Sequence, residues 1–115
     1  MGMFDSVSFV ALNSALDGLA LRQRSIAENV ANIQTPGYQA KRVLFEDALA
    51  SAVAHGSGAT TPTVARSLEP TREDGNNVNL DTETLSNVDT NLRYQLASQA
   101  VDGTFTSIRT AMRTS

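Results

Sequence analysis

Phe9, Leu12, Leu16, Leu19, Gln23, Ile26, Val30 and Ile33 follow one another at gaps that alternate between three and four residues. That is the a/d spacing which keeps one seam of a helix turned toward a partner helix. It predicts an amphipathic helix from Ser8 to Ile33, ~39 Å long at the usual rise per residue. Gln23 is the lone polar residue in the seam. It either fixes register against a partner or sits at a partly exposed position, and the spacing alone leaves both open.

A second helical pattern fills the C-terminal end. Asp81 is the predicted N-cap, with Thr82 and Glu83 in the first turn, where a carboxylate favours the helix dipole. From there a helix reaches to Arg113, a length of ~50 Å. Its apolar residues form two stripes: Leu85, Val88, Leu92 and Leu96 on one side, and Tyr94, Ala97, Val101, Phe105, Ile108 and Met112 nearly opposite. One antiparallel neighbour cannot cover both. Either the helix bends near Gly103, or the stripes meet different neighbours, one in the chain and one in another subunit. The stripes already overlap at Tyr94 to Leu96, well before Gly103, and this favours two neighbours.

Between these segments the pattern weakens. Residues 55–63 form a polar tract ending in Thr-Thr-Pro-Thr, and residues 69–77 add further turn and breaker residues. Residues 46–54 can make two helical turns, and Thr63 to Leu68 a short strand, each too short to stand alone. The middle is therefore expected to be mobile unless a partner orders it. The fold class is mainly α, with terminal helices pairing as a coiled-coil hairpin around a mobile or short-β middle. The divisions fall at residues 1–35, 36–80 and 81–115.

Composition sharpens this picture. Leu, Ile, Val and Phe supply 27 of 115 residues and Trp is absent, so the core is thin and sits near the lower limit for chains that fold alone. A net charge of −3 with scattered Lys and Arg argues against nucleic acid, which calls for a clustered basic face. With no Cys, neither a disulfide framework nor a thiolate metal site is expected. The N-terminal segment has no basic stretch and Asp5 interrupts its apolar run, so no cleavable signal peptide is expected, and no stretch is apolar enough to span a membrane.

Candidate chemistry is sparse. His55 has no second ligand or orienting group at useful spacing. Gly56-Ser57-Gly58 lacks the lysine and helix start of a phosphate loop and reads as a linker. The run from Asp74 has Asn79 where a calcium loop needs glycine and Leu85 where it needs glutamate, so an Asx-rich turn capping a helix is the better reading. No catalytic, cofactor or metal site is expected.

The most distinctive local feature is Asn29-Val-Ala-Asn32 followed by Thr35-Pro36-Gly37-Tyr38. Proline and glycine suit the two central positions of a type II turn, and Pro36 biases Thr35 away from helical geometry. The helix is made to stop there. Asn29 and Asn32, poor helix-interior residues one turn apart, are placed to bond terminal carbonyls or a neighbour.

These residues resemble the signature of the flagellar rod, hook and hook-associated axial proteins. Gln39-Ala40-Lys41-Arg42 with Phe45, the stretch from Asp74 to Glu83, and Leu92-Arg93-Tyr94-Gln95 are similar to the rod proteins at the base of that structure. The resemblance implies a structural subunit that stacks helically through Leu12, Leu16, Leu19, Ile26, Val30, Leu85, Val88, Leu92, Leu96, Val101, Phe105 and Ile108. It implies contact with itself and other rod proteins, and with ring or export-gate components. It also implies export by the flagellar type III apparatus to the periplasmic side, with Phe45 and Leu49 matching the element an export gate reads. Alternatives are another axial rod protein of the same superfamily or a cytoplasmic helical adaptor that binds one partner, and, more distantly, a small hydrolase or metal protein dependent on His55.

Overall fold

The computed structural model describes residues 3–114, with side chains described for 6–107 and 109–113. Its elements, in order, are α1 (Met3–Ala31), β1 (Lys41–Leu44), α2 (Glu46–Ala54), β2 (Thr63–Arg66) and α3 (Leu80–Thr114). The fold is mainly helical, with two long terminal helices packed against each other and a small two-stranded sheet between them in sequence. The molecule is elongated, 66 × 25 × 15 Å.

α1 begins at Met3, five residues before the apolar seam predicts, and ends at Ala31 rather than Ile33. The end has a clear cause. The Asn32 N–H is shared between the carbonyls of Glu28 at 3.1 Å and Asn29 at 3.2 Å, and the Ile33 N–H reaches Val30 at 3.2 Å. These tighter bonds use up the last carbonyls just ahead of Pro36. Beyond them the Tyr38 N–H closes on the Thr35 carbonyl at 3.2 Å. Gly37 sits at φ +77°, the conformation a type II turn needs at its third residue.

The chain then returns along α1 as β1, a strand the local pattern does not predict. β1 pairs antiparallel with β2, with Val43 opposite Val64 and Lys41 opposite Arg66. β2 stops at Arg66, two residues short of the predicted Leu68. α2 follows β1 directly over residues 46–54, where Glu46 and Asp47 complement the dipole of its first turn. It closes in a Schellman pattern. The Gly56 N–H bonds Val53 and the Ser57 N–H bonds Ala52, each at 3.0 Å, with Gly56 at φ +84°.

The predicted linker therefore does structural work. Gly56 ends α2, and Gly58 lies buried against α1, where its carbonyl accepts the Ser14 hydroxyl at 3.1 Å. An added Cβ on Gly58 would stand 2.7 Å from the Val7 carbonyl oxygen.

α3 starts at Leu80, capped by Asn79 rather than by Asp81. The Asn79 side-chain oxygen accepts the N–H groups of Asp81 at 3.1 Å and Thr82 at 3.3 Å. The helix then runs unbroken through Gly103.

The core is as thin as the composition suggests. Its centre is Leu19, Val43 and Phe45, with Ala15, Leu21, Leu49, Tyr94 and Ala97 packed around them. The buried face of α1 is shifted off the heptad seam. Leu19 and Ile26 are buried, but so are Ser14, Gly18, Ser25 and Asn29, whereas Leu12 and Leu16 are half-buried and Val30 is exposed. The reason is steric: a Cβ on Gly18 would stand 2.5 Å from the Phe45 ring. Only a helix with no side chain at that point lets the ring in.

Candidate functional site

Two features stand out: a polar corner where the chain reverses, and an apolar stripe facing solvent.

The corner is built around Asn29, which is fully buried. Its Nδ2 donates to the Lys41 carbonyl at 2.9 Å and to Glu83 Oε1 at 3.0 Å. Its Oδ1 accepts the Lys41 N–H and the Tyr38 hydroxyl, both at 2.9 Å. All four bonding capacities of one carboxamide are used. The bonds to Lys41 occupy the edge of β1 that faces away from β2, so the side chain stands where a further strand would pair. Arg22 continues this cover by donating Nη2 to the Val43 carbonyl at 2.6 Å. The same guanidinium holds both carboxylate oxygens of Glu46, with Oε2 at 2.9 Å, and lies 4.9 Å from the centre of the Phe45 ring.

Two further asparagines tie the loop before α3 to the turn. Asn76 donates to the carbonyls of Asn32 at 2.8 Å and Thr35 at 2.9 Å, and accepts the Val78 N–H at 2.8 Å. Asn77 accepts the Ala40 N–H at 2.6 Å and donates to the Glu69 carbonyl at 3.1 Å. Arg72 bridges the carbonyls of Val78 and Ile33. Asn32 has a smaller part: it donates to the Glu28 carbonyl at 2.8 Å and accepts the Thr35 hydroxyl at 3.1 Å. Sequence reasoning singled out Asn29, Asn32, Thr35, Pro36, Gly37 and Tyr38. It missed Asn76, Asn77, Arg72 and Gly18, whose partners lie far along the chain.

Charges at the corner shift in opposite directions. Burial raises the Glu83 carboxyl above its ordinary value, and the bond from Asn29 partly offsets this. Burial also raises the Tyr38 phenol. On the surface, the bond between Glu28 and Lys41 at 2.8 Å lowers the carboxyl and raises the amine. An open groove of about 660 Å³ beside the corner is lined by both signs of charge, including Arg22, Lys41, Arg42, Glu46, Glu69 and Glu83.

α3 turns its two stripes to different surroundings. Tyr94 and Ala97 pack on the core, and Phe105 meets Phe9 edge-on with centroids 5.4 Å apart. Val101 is half-buried on the same side. The Ile108 side chain lies outside the described residues. Nearer its start, the inward face is polar: Glu83 and Thr90 are buried, and Gln23 of the α1 seam donates to Asn91 Oδ1 at 2.8 Å. Gln23 is half-buried, and its bond links α1 to α3 at the rim of their contact. The other stripe faces away, with Leu85 72%, Val88 63%, Leu92 55% and Leu96 57% exposed. The outer face of α3 is thus a line of large aliphatic side chains open to solvent.

Phe45 and Leu49 belong to the core. Phe45 is buried, Leu49 is half-buried, and the Leu49 N–H closes on the Phe45 carbonyl at 2.8 Å. The His55 Nδ1 lies 2.7 Å from the Ser51 carbonyl oxygen on an exposed loop. Among the described residues no group of three or more His, Cys, Asp or Glu is placed to hold a metal ion. No helix among them is long and apolar enough to cross a membrane.

Comparison with known proteins adds a family to this geometry. No family model matches the chain. The flagellar basal body rod protein FlgB of Escherichia coli strain K12 is 33% identical over 111 residues, spanning 77% of this chain and 80% of that protein. FlgB of Bacillus subtilis strain 168 is 29% identical over 115 residues, covering 88% of this chain and 89% of its own. FlgB of Borrelia hermsii is 26% identical over 121 residues, covering 85% and 90%. These alignments run through most of the chain rather than along one helix, and the chain belongs to the FlgB family of flagellar basal body rod proteins.

Proposed function

We propose that the chain is a non-enzymatic structural subunit of the flagellar basal-body rod, joined helically to copies of itself and to other rod proteins through its terminal helices. The observation that carries this reading is the solvent-facing line of Leu85, Val88, Leu92 and Leu96 in a chain of the FlgB family. Aliphatic surface left open in the isolated chain is surface that neighbours bury, and heterologous contacts of this kind propagate into tubes. In this reading residues 1–35 and 81–115 form the rod core, residues 36–80 are the variable middle, and the subunit also contacts ring or export-gate components.

Export by the flagellar type III apparatus to the periplasmic side is part of the same proposal. Phe45 and Leu49 are its candidate recognition element. Because Phe45 is enclosed by α1 in the folded chain, an export gate would read it before folding. Immunogold labelling of purified basal bodies tests the placement: label along the rod supports it, and label confined to the cytoplasm overturns it. Secretion of a Phe45→Ala variant tests the export element, since normal secretion would remove Phe45 from that role.

A further inference from the structure

The outward stripe of α3 reads nearly the same from either end. Its gaps of three, four and four residues make an eleven-residue repeat from Leu85 to Leu96, a spacing that keeps side chains in an almost straight line along a helix. Turned end for end about a point between Thr90 and Asn91, the stripe maps onto itself to within one residue. Leu85 takes the level of Leu96, and Val88 takes that of Leu92.

The charged rim obeys the same operation. Asp89 and Arg93 lie on one flank of the stripe, both about half exposed, and pair within the helix at 2.9 Å. A two-fold axis between antiparallel helices keeps that flank on the same side and sets Asp89 of each copy beside Arg93 of the other. A parallel two-fold pair would instead place the two Asp89–Arg93 flanks on opposite sides of the seam, where they cannot pair with each other.

We infer that the free chain forms an antiparallel two-fold dimer through Leu85, Val88, Leu92 and Leu96, with Asp89 of each copy facing Arg93 of the second. The occupant of the stripe is a second copy because apolar order and charge order agree on the same axis. Four aliphatic side chains per copy make an interface below the standard size, so the dimer is weak and readily exchanged for another partner. An isologous contact also closes on itself, so association stops at two. This pairing does not depend on the rod assignment.

Sedimentation equilibrium on the purified full chain, from about 1 to 500 µM at low salt, tests it. The expected result is a reversible monomer–dimer equilibrium with no larger species. Leu92→Asp, which acts twice in each dimer, is expected to weaken association on the order of 100-fold. Asp89→Arg or Arg93→Asp alone is expected to weaken it several-fold, and the double exchange to restore it to within about twofold. Circular dichroism on each variant confirms that the helices are retained. A chain that stays monomeric throughout, association that climbs past the dimer, or indifference to Leu92→Asp would each overturn the inference. So would failure of the double exchange to recover association.

Discussion

Glu83 on α3 accepts a hydrogen bond from Asn29 on α1 at 3.0 Å, with Asn29 fully buried and Glu83 8% exposed. The carboxylate's charge is poorly compensated there, because the contact comes from a neutral amide. Burial accordingly raises its pKa. The sign of the resulting pH dependence follows. A carboxyl raised on folding contributes stability below its unfolded value, near 4.5, and that contribution is lost as pH climbs through the raised folded value. Glu83→Gln keeps an acceptor for Asn29 and removes the charge. Its denaturation midpoint at pH 7 is expected to equal or exceed that of the natural chain, with a flatter pH profile across this window. A variant clearly less stable at pH 7 would show that the ionised carboxylate is favourable.

Asn29→Ala leaves the Lys41 N–H and carbonyl, the Tyr38 hydroxyl and Glu83 without their partner at once. Unsatisfied buried polar groups cost about 1–3 kcal/mol each, and water entering the space relieves part of that. A net loss of about 3 kcal/mol is expected by urea unfolding. A loss under about 1 kcal/mol would mean that β1 does not depend on this amide for its outer edge.

The two interior helix glycines should respond in opposite directions to alanine. A Cβ on Gly18 would overlap the Phe45 ring, whereas Gly103 has no atom within 4 Å of such a position. Alanine is favoured over glycine in helices by about 1 kcal/mol. Gly103→Ala should therefore stabilise by about that amount, and Gly18→Ala should destabilise by about 1–3 kcal/mol as overpacking outweighs propensity. Phe45→Leu in the Gly18→Ala background should recover part of the loss. Thermal unfolding of the three variants checks the order.

The helices were legible in the sequence because their signals are local. The alternation of three and four from Phe9 to Ile33 marks α1, and the two opposed sets from Leu85 to Met112 mark a long α3 whose faces meet different surroundings. β1 was not legible. Lys41-Arg42-Val43-Leu44 carries no alternation, and its outer edge is completed by Asn29 and Arg22 from a helix rather than by another strand. The order of residues 67–79 was hidden for a similar reason. Asn76 and Asn77 read as turn residues, yet they bond carbonyls of Asn32, Thr35, Ser67 and Glu69. The buried face of α1 also moved off its seam because Gly18, apolar in no useful sense, admits Phe45. Spacing rules register what a residue can bury, not what it allows a neighbour to bury.

Variants at Leu19 and Leu92 test folding and the proposed assembly separately. Leu19 is 3% exposed beside Val43 and Phe45, and Leu92 is 55% exposed on the far side of α3. Leu19→Ala opens a cavity in a core with little to spare and is expected to cost about 2–4 kcal/mol, reducing motility through loss of folded protein. Leu92→Asp removes nothing the chain packs internally, so its unfolding midpoint should stay within about 0.5 kcal/mol of the natural chain. A charge on an assembly surface is nonetheless incompatible with burial by a neighbour. A strain whose native gene is replaced by the Leu92→Asp form should therefore be non-motile while holding normal levels of folded subunit. Full swimming in soft agar with that variant would mean that the outward stripe is not an essential contact in the rod.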